Sequence, residues 1–131
     1  MAIMVGLDLV SVDSVLEALR GPHRDRYLRR VYTEREVTDC LTPAGVDPER
    51  LAARFAAKEA TLKVISTGEE GVSLQQIEVR REPSGRVHLV LHGRAAELAA
   101  EAGLIDLALS LTHEGGFAAA VVVASRRSSV D

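Results

Sequence analysis

Tryptophan is absent, and two Phe and two Tyr bring aromatics to only 3% of the 131 residues. A surface without aromatic platforms has nothing on which to stack unpaired bases, which argues against single-stranded nucleic-acid binding. Cysteine occurs once, at Cys40. One thiol closes no internal disulfide and builds no cysteine metal cluster, so a reducing cytoplasm is the expected home. No apolar run approaches the ~20 residues of a membrane helix. The most apolar stretch, at the N-terminus, lacks a basic leader and is interrupted by Asp8, so neither a signal peptide nor a membrane span is expected. Charge of either sign is also nearly balanced, at a net −3. What imbalance exists is local: Arg20, Arg24, Arg26, Arg29 and Arg30 cluster around a single acid, Asp25.

What the chain does have is aliphatic. Hydrophobic residues make up 47%, so the core must be Leu, Val, Ile and Ala, and a chain of this length buries roughly two thirds of its unfolded surface as one domain. Ile3–Val10 reads as a strand. Helical stretches follow at Ser14–Leu19, stopped by Gly21-Pro22, and through the arginines. Thr33 with Glu36 forms a capping box for a short helix carrying Cys40. Asp47-Pro48 is an N-cap with proline at N1, opening a long helix to Ile65. A hairpin over Leu74–Arg80 and Arg86–Leu91, a helix over Ala95–Ala102 stopped by Gly103, and a last hairpin complete the pattern. The expected class is α+β with an antiparallel sheet: one domain over 1–124 and a disordered tail over 125–131.

Chemistry concentrates in Arg54-Phe-Ala-Ala-Lys-Glu-Ala-Thr-Leu-Lys63. Ala52, Phe55, Ala56, Glu59 and Leu62 share one helical stripe, so Glu59 is expected to interrupt an apolar face. A buried carboxylate needs a cation or metal, and Lys63 at i+4 is one candidate partner. Asp8 is a second carboxylate in an apolar run. In the last hairpin, His113 is expected at the tip, within His113-Glu-Gly-Gly116.

Gly6-x-Asp8, Phe55-Ala-Ala-Lys-Glu-Ala60 with Lys63, and Ser110-Leu-Thr-His113 before an Ala/Val strand together resemble the holo-acyl-carrier-protein synthases, small 4′-phosphopantetheinyl transferases. The resemblance spans about Met1 to Ala124, in the family's order and spacing. It implies transfer of the phosphopantetheine arm of coenzyme A to a serine of an acidic apo carrier protein, releasing adenosine 3′,5′-bisphosphate. It also implies Mg²⁺ held by Asp8 and Glu59, with Lys63 acting on the leaving group and His113 near the nucleotide phosphates. Coenzyme A contacts are implied for Arg54, Lys63, Ser66, Thr67, Gly68 and His113, and a homotrimer with active sites at subunit boundaries. In that trimer one chain is expected to supply Asp8 and its neighbour the motif helix, or the reverse. Arg20, Arg24 and Arg26 are the expected carrier contacts, since a local positive field speeds encounter with an acidic partner.

The chain departs from the family at Ser14, where arginine usually helps grip the carrier, at Ser66, where glycine is usual, and at Val87, where proline is common. Two other function classes compete. A noncatalytic module holding coenzyme A or a carrier protein is weakened by the intact set of Asp8, Glu59, Lys63 and His113. A P-loop or dinucleotide enzyme would have to use Ser66-Thr-Gly-Glu-Glu-Gly71, which lacks the lysine and Ser/Thr of a P-loop and does not follow a strand.

Overall fold

The structure, a computed structural model, describes residues 1–66 and 71–128. Strand β1 (Ala2–Ser11) leads into helices α1 (Val12–Arg20), α2 (Arg24–Val31) and α3 (Glu34–Asp39), then a two-residue ladder of β2 (Leu41–Thr42) and β3 (Gly45–Val46). The long α4 (Pro48–Ile65) follows, then the hairpin β4 (Ile77–Arg81) and β5 (Val87–Leu91), α5 (Gly93–Glu101), and the hairpin β6 (Leu104–Glu114) and β7 (Phe117–Arg126). The main sheet is antiparallel with order β1-β7-β6, so the α+β expectation holds.

Sequence punctuation accounts for most boundaries. Asp47 Oδ1 accepts from the Glu49 and Arg50 amides, and Pro48 costs nothing at N1, where its missing N–H would have had no partner. Thr33 and Glu36 form the expected capping box, although Cys40 proves to be the residue that caps α3 rather than part of it. Three differences come from tertiary pairing. Leu74–Gln76 turns as a 3-10 helix before β4 begins. The β2–β3 ladder is too short to leave a period in the sequence. β7 runs through Ser125 and Arg126, which pair with Ile3 and Ala2 of β1, so the expected tail starts two residues too early.

The core lies between the main sheet and α4. Met4, Gly6, Asp8 and Val10 form the inward row of β1, and Ala118, Ala120, Val122 and Ala124 are buried on β7. Leu51, Ala52, Ala53, Ala56, Ala57 and Ala60 are buried on α4. Alanine lets the helix sit close. At Gly6 the approach is backbone to backbone: a Cβ added there would lie 2.1 Å from the Ala60 carbonyl oxygen. The outward row of β1 is not covered. Ile3, Val5, Leu7 and Leu9 are 62–66% exposed, a contiguous apolar stripe of the kind that marks an interface.

Burial wraps around α4 instead of following one stripe. Besides the alanines, Arg54, Lys58 and Thr61 are buried, because α4 meets β1 and β7 on one side and α1, β4 and α5 on others. Glu59 is therefore corrected in position. With Phe55 and Leu62 it lies on the half-buried edge of the helix, next to exposed Lys63.

Candidate active site

Asp8 reaches its position because β1 alternates: Leu7 and Leu9 face out, so Asp8 must face the helix. Opposite it, α4 presents Glu59 and, one turn on, Lys63. The Lys63 ammonium donates to the Leu7 carbonyl at 2.6 Å and to Asp8 Oδ1 at 3.2 Å. Asp8 is mostly shielded, with 20% of its side chain exposed against 54% for Lys63. Burial pushes the Glu59 carboxyl above its ordinary value, the Asp8 charge pushes in the same direction, and Lys63 partly offsets both. Two carboxylates and one ammonium leave the cluster one cation short of neutral. That is a setting for a hard divalent ion with oxygen ligands, and Mg²⁺ suits a site with only two protein carboxylates because it retains waters and takes up phosphate oxygens. No group of three or more His, Cys, Asp or Glu gathers anywhere among the described residues, this site included.

The expectation that Asp8 and the motif helix come from different chains is overturned. The Lys63–Asp8 contact joins them within one chain. His113, by contrast, stays apart. It is a strand residue paired with Ala118, not the hairpin tip, because Gly115 and Gly116 take both turn positions with φ of 59° and 83°. Its Nδ1 lies 2.7 Å from Glu49 Oε2 at the opposite end of α4. Glu49 and Glu59 are ten residues apart, or ~15 Å along a helix axis.

The other expected contacts divide. Arg54 is 4% exposed, its NH1 donating to the Arg50 carbonyl and its Nε buried without a partner, close enough to Cys40 for its charge to oppose the burial that pushes that thiol up to about 11. Ser66 caps α4 in extended backbone at φ −135°, so no positive φ is needed there. Thr67 and Gly68 lie outside the described residues. Arg20 and Arg26 are exposed, whereas Arg24 is half-buried. Arg29 and Arg30, which sequence reasoning placed in the cluster without assigning a contact, stand exposed beside Arg26. Among the described residues none of these arginines forms an ion pair, while Arg50, Arg80 and Arg94 do.

The residue sequence reasoning left without a role is Lys58. Fully buried, its ammonium donates to Glu36 Oε1 at 2.7 Å and to the carbonyls of Ile77 and Leu74 at 2.6 and 3.0 Å. Glu36 in turn accepts from the Thr33 and Val79 amides. His92 meets Glu78 Oε1 at 3.1 Å and His88 meets Glu82 Oε1 at 3.4 Å, both rings staying nearly half exposed.

An antiparallel α+β fold that sets two carboxylates and an ammonium at the seam between its first strand and its central helix defines an acid–cation site of the kind that handles phosphoryl groups. Residues 4–122 match the model of the 4′-phosphopantetheinyl transferase superfamily. The holo-[acyl-carrier-protein] synthase of Koribacter versatilis is 41% identical over 94% of this chain and 98% of its own. That of Chloroflexus aurantiacus is 42% identical over 91% and 95%. Among solved structures, the Chronobacterium ammoniagenes ACPS–CoA complex matches with a TM-score of 0.81 and 33% identity, covering 98% of this chain and all of that one. The Helicobacter pylori synthase in complex with coenzyme A gives 0.78 and 27%, covering 93% and 100%. The chain belongs to the holo-[acyl-carrier-protein] synthases of the 4′-phosphopantetheinyl transferase superfamily.

Proposed function

We propose that Asp8 and Glu59 hold Mg²⁺ against the diphosphate of coenzyme A and that Lys63 acts on the leaving group. The chain is a transferase that moves the 4′-phosphopantetheine group from coenzyme A to a serine of an apo acyl carrier protein, releasing adenosine 3′,5′-bisphosphate. The observation that carries the site reading is the Lys63–Asp8 contact beside a Glu59 carboxyl raised by burial and like charge. Phosphoryl transfer needs alignment and charge neutralisation more than covalent catalysis, and the metal supplies that neutralisation when bound. The serine Oγ–P bond forms as the diphosphate P–O bond breaks. The serine proton goes to Glu59 or to a water beside it. The Lys63 ammonium, a point charge on a flexible stem, meets the charge that grows on the departing phosphate.

The outward β1 stripe supports a homotrimer, in which a second copy would cover Ile3, Val5, Leu7 and Leu9. Such a boundary also gives His113, remote from Asp8 in its own chain, a neighbouring site to serve. Arg54, Ser66, Thr67 and Gly68 belong to the coenzyme A reading by resemblance, and the burial of Arg54 fits an indirect part in it. Residues 1–126, through the end of β7, act as one transferase domain. Its place is the cytoplasm, a reading supported by the single buried thiol and by the lack, among the described residues, of any helix long and apolar enough to cross a membrane. The decisive experiment is mass spectrometry of apo carrier protein incubated with the chain, coenzyme A and Mg²⁺. Gain of the phosphopantetheine mass is expected; binding without that gain would make the chain a noncatalytic module.

Carrier docking rests on the unpaired arginines. Ser14 lacks the usual charge and its neighbours on α1 include Asp13 and Glu17, so the exposed positive face is Arg20 with Arg26, Arg29 and Arg30 of α2. The half-buried Arg24 is a lesser contributor. Such charges act on encounter rate and are screened over ~8 to 10 Å. Arg26→Glu with Arg29→Glu is expected to raise the KM for the carrier severalfold and flatten its salt dependence, with the KM for coenzyme A unchanged. Equal effects on both substrates would mean that the carrier docks elsewhere.

A further inference from the structure

The His113–Glu49 contact belongs to no part of the Asp8–Glu59–Lys63 cluster, and its two members come from elements distant in sequence. We propose that Glu49 is a positioning residue for His113, fixing the imidazole through its Nδ1 so that Nε2 is presented to a phosphate of coenzyme A. The proposal rests on the reading of His113 as a nucleotide-phosphate contact.

The geometry is that of a carboxylate orienting an imidazole. Nδ1 stands 2.7 Å from Glu49 Oε2, with both side chains about half exposed, at 48% and 49%. An Nδ1–H donated to a carboxylate fixes the ring's rotation and leaves Nε2 as the outward nitrogen. Between a carboxylate at Nδ1 and a phosphate at Nε2, both ring nitrogens act as donors. Both backbones are pinned. Glu49 sits in the first turn of α4 with its amide bonded to Asp47 Oδ1 at 2.9 Å, and His113 is registered against Ala118.

In the first turn of α4, Asp47 is engaged by Arg50 at 3.5 Å. On β6 the neighbouring Glu114 alternates to the other face of the strand. β7 brings only Ala118 and Ala119 opposite. Glu49 is the charged group in contact with the ring. Its place in the first turn of a helix is one where negative charge is favoured.

The test compares Glu49→Gln and Glu49→Asp with the unaltered enzyme by the NMR shifts of the His113 ring nitrogens and by the KM and kcat for coenzyme A. In Glu49→Gln the Nδ1 shift should change as its carboxylate partner is lost. The KM for coenzyme A should rise about two- to fivefold, the range expected for a part-exposed polar pair. The kcat should not change, and Glu49→Asp should restore most of the KM and the Nδ1 shift. An unmoved Nδ1 shift in Glu49→Gln overturns the proposal directly. A shift that moves while the KM for coenzyme A stays level in both Glu49→Gln and His113→Ala overturns it differently, by removing the coenzyme A reading of His113.

Discussion

Asp8→Ala and Glu59→Ala should each lower turnover by about two to three orders of magnitude or more, the usual consequence of removing a group aimed at transition-state charge. Both residues lie at the edge of the core, so circular dichroism and the urea midpoint should hardly change. The double variant should be scarcely slower than either single one, because groups that act as a unit are not additive. Asp8→Ala also deprives Lys63 of the carboxylate that holds it at 3.2 Å, so part of its loss includes a displaced ammonium. Asp8→Asn keeps an oxygen for Lys63 and separates the two causes. Additive losses, or turnover that persists in excess chelator, would sink the shared-cation site.

The two lysines of the motif should fail in different ways. Lys58→Ala leaves Glu36 charged and buried with only two backbone amides, and leaves the Leu74 and Ile77 carbonyls without their donor. Breaking a buried pair from one side costs about 3 to 5 kcal/mol, a large share of the 5 to 15 kcal/mol that holds a domain together. The variant should unfold at far lower urea, and its activity per folded molecule should stay near normal. Lys63→Ala, at an exposed position, should unfold like the parent yet react slowly. A single-turnover assay at saturating coenzyme A distinguishes slow chemistry from weak binding. If Lys58→Ala is stable and inactive, the buried network is part of the chemistry and its purely structural reading is wrong.

The difference between those lysines shows where the sequence stops being legible. Local signals were readable: the Asp47-Pro48 start of α4, the Thr33–Glu36 capping box and the Gly115-Gly116 turn each act over a few residues. Asp8 and Glu59 were readable as carboxylates in apolar settings, and the family motif tied them together. Burial was harder to read. Helical spacing put Glu59 on an inward stripe, but α4 is contacted from several sides, so the least covered edge is where Glu59 ended up. Glu36 was visible as a cap, yet its bonds to Lys58 and Val79 cross 22 and 43 residues and have no local signature. The outward exposure of Leu7 and Leu9 was invisible for a related reason. An apolar strand reads the same whether its second face is covered by its own chain or by another.

The contact at Gly6 has a consequence for how this enzyme can change over time. The gap between Asp8 and Glu59 depends on how closely β1 lies against α4, and that closeness is set by one backbone touching another at Ala60. A hard stop of this sort does not depend on which aliphatic residues fill the rest of the interior. Leucine, valine and isoleucine can therefore be exchanged across the domain over many generations with the two carboxylates still in register, whereas a single added methyl at Gly6 would wedge them apart without altering any group that takes part in the reaction.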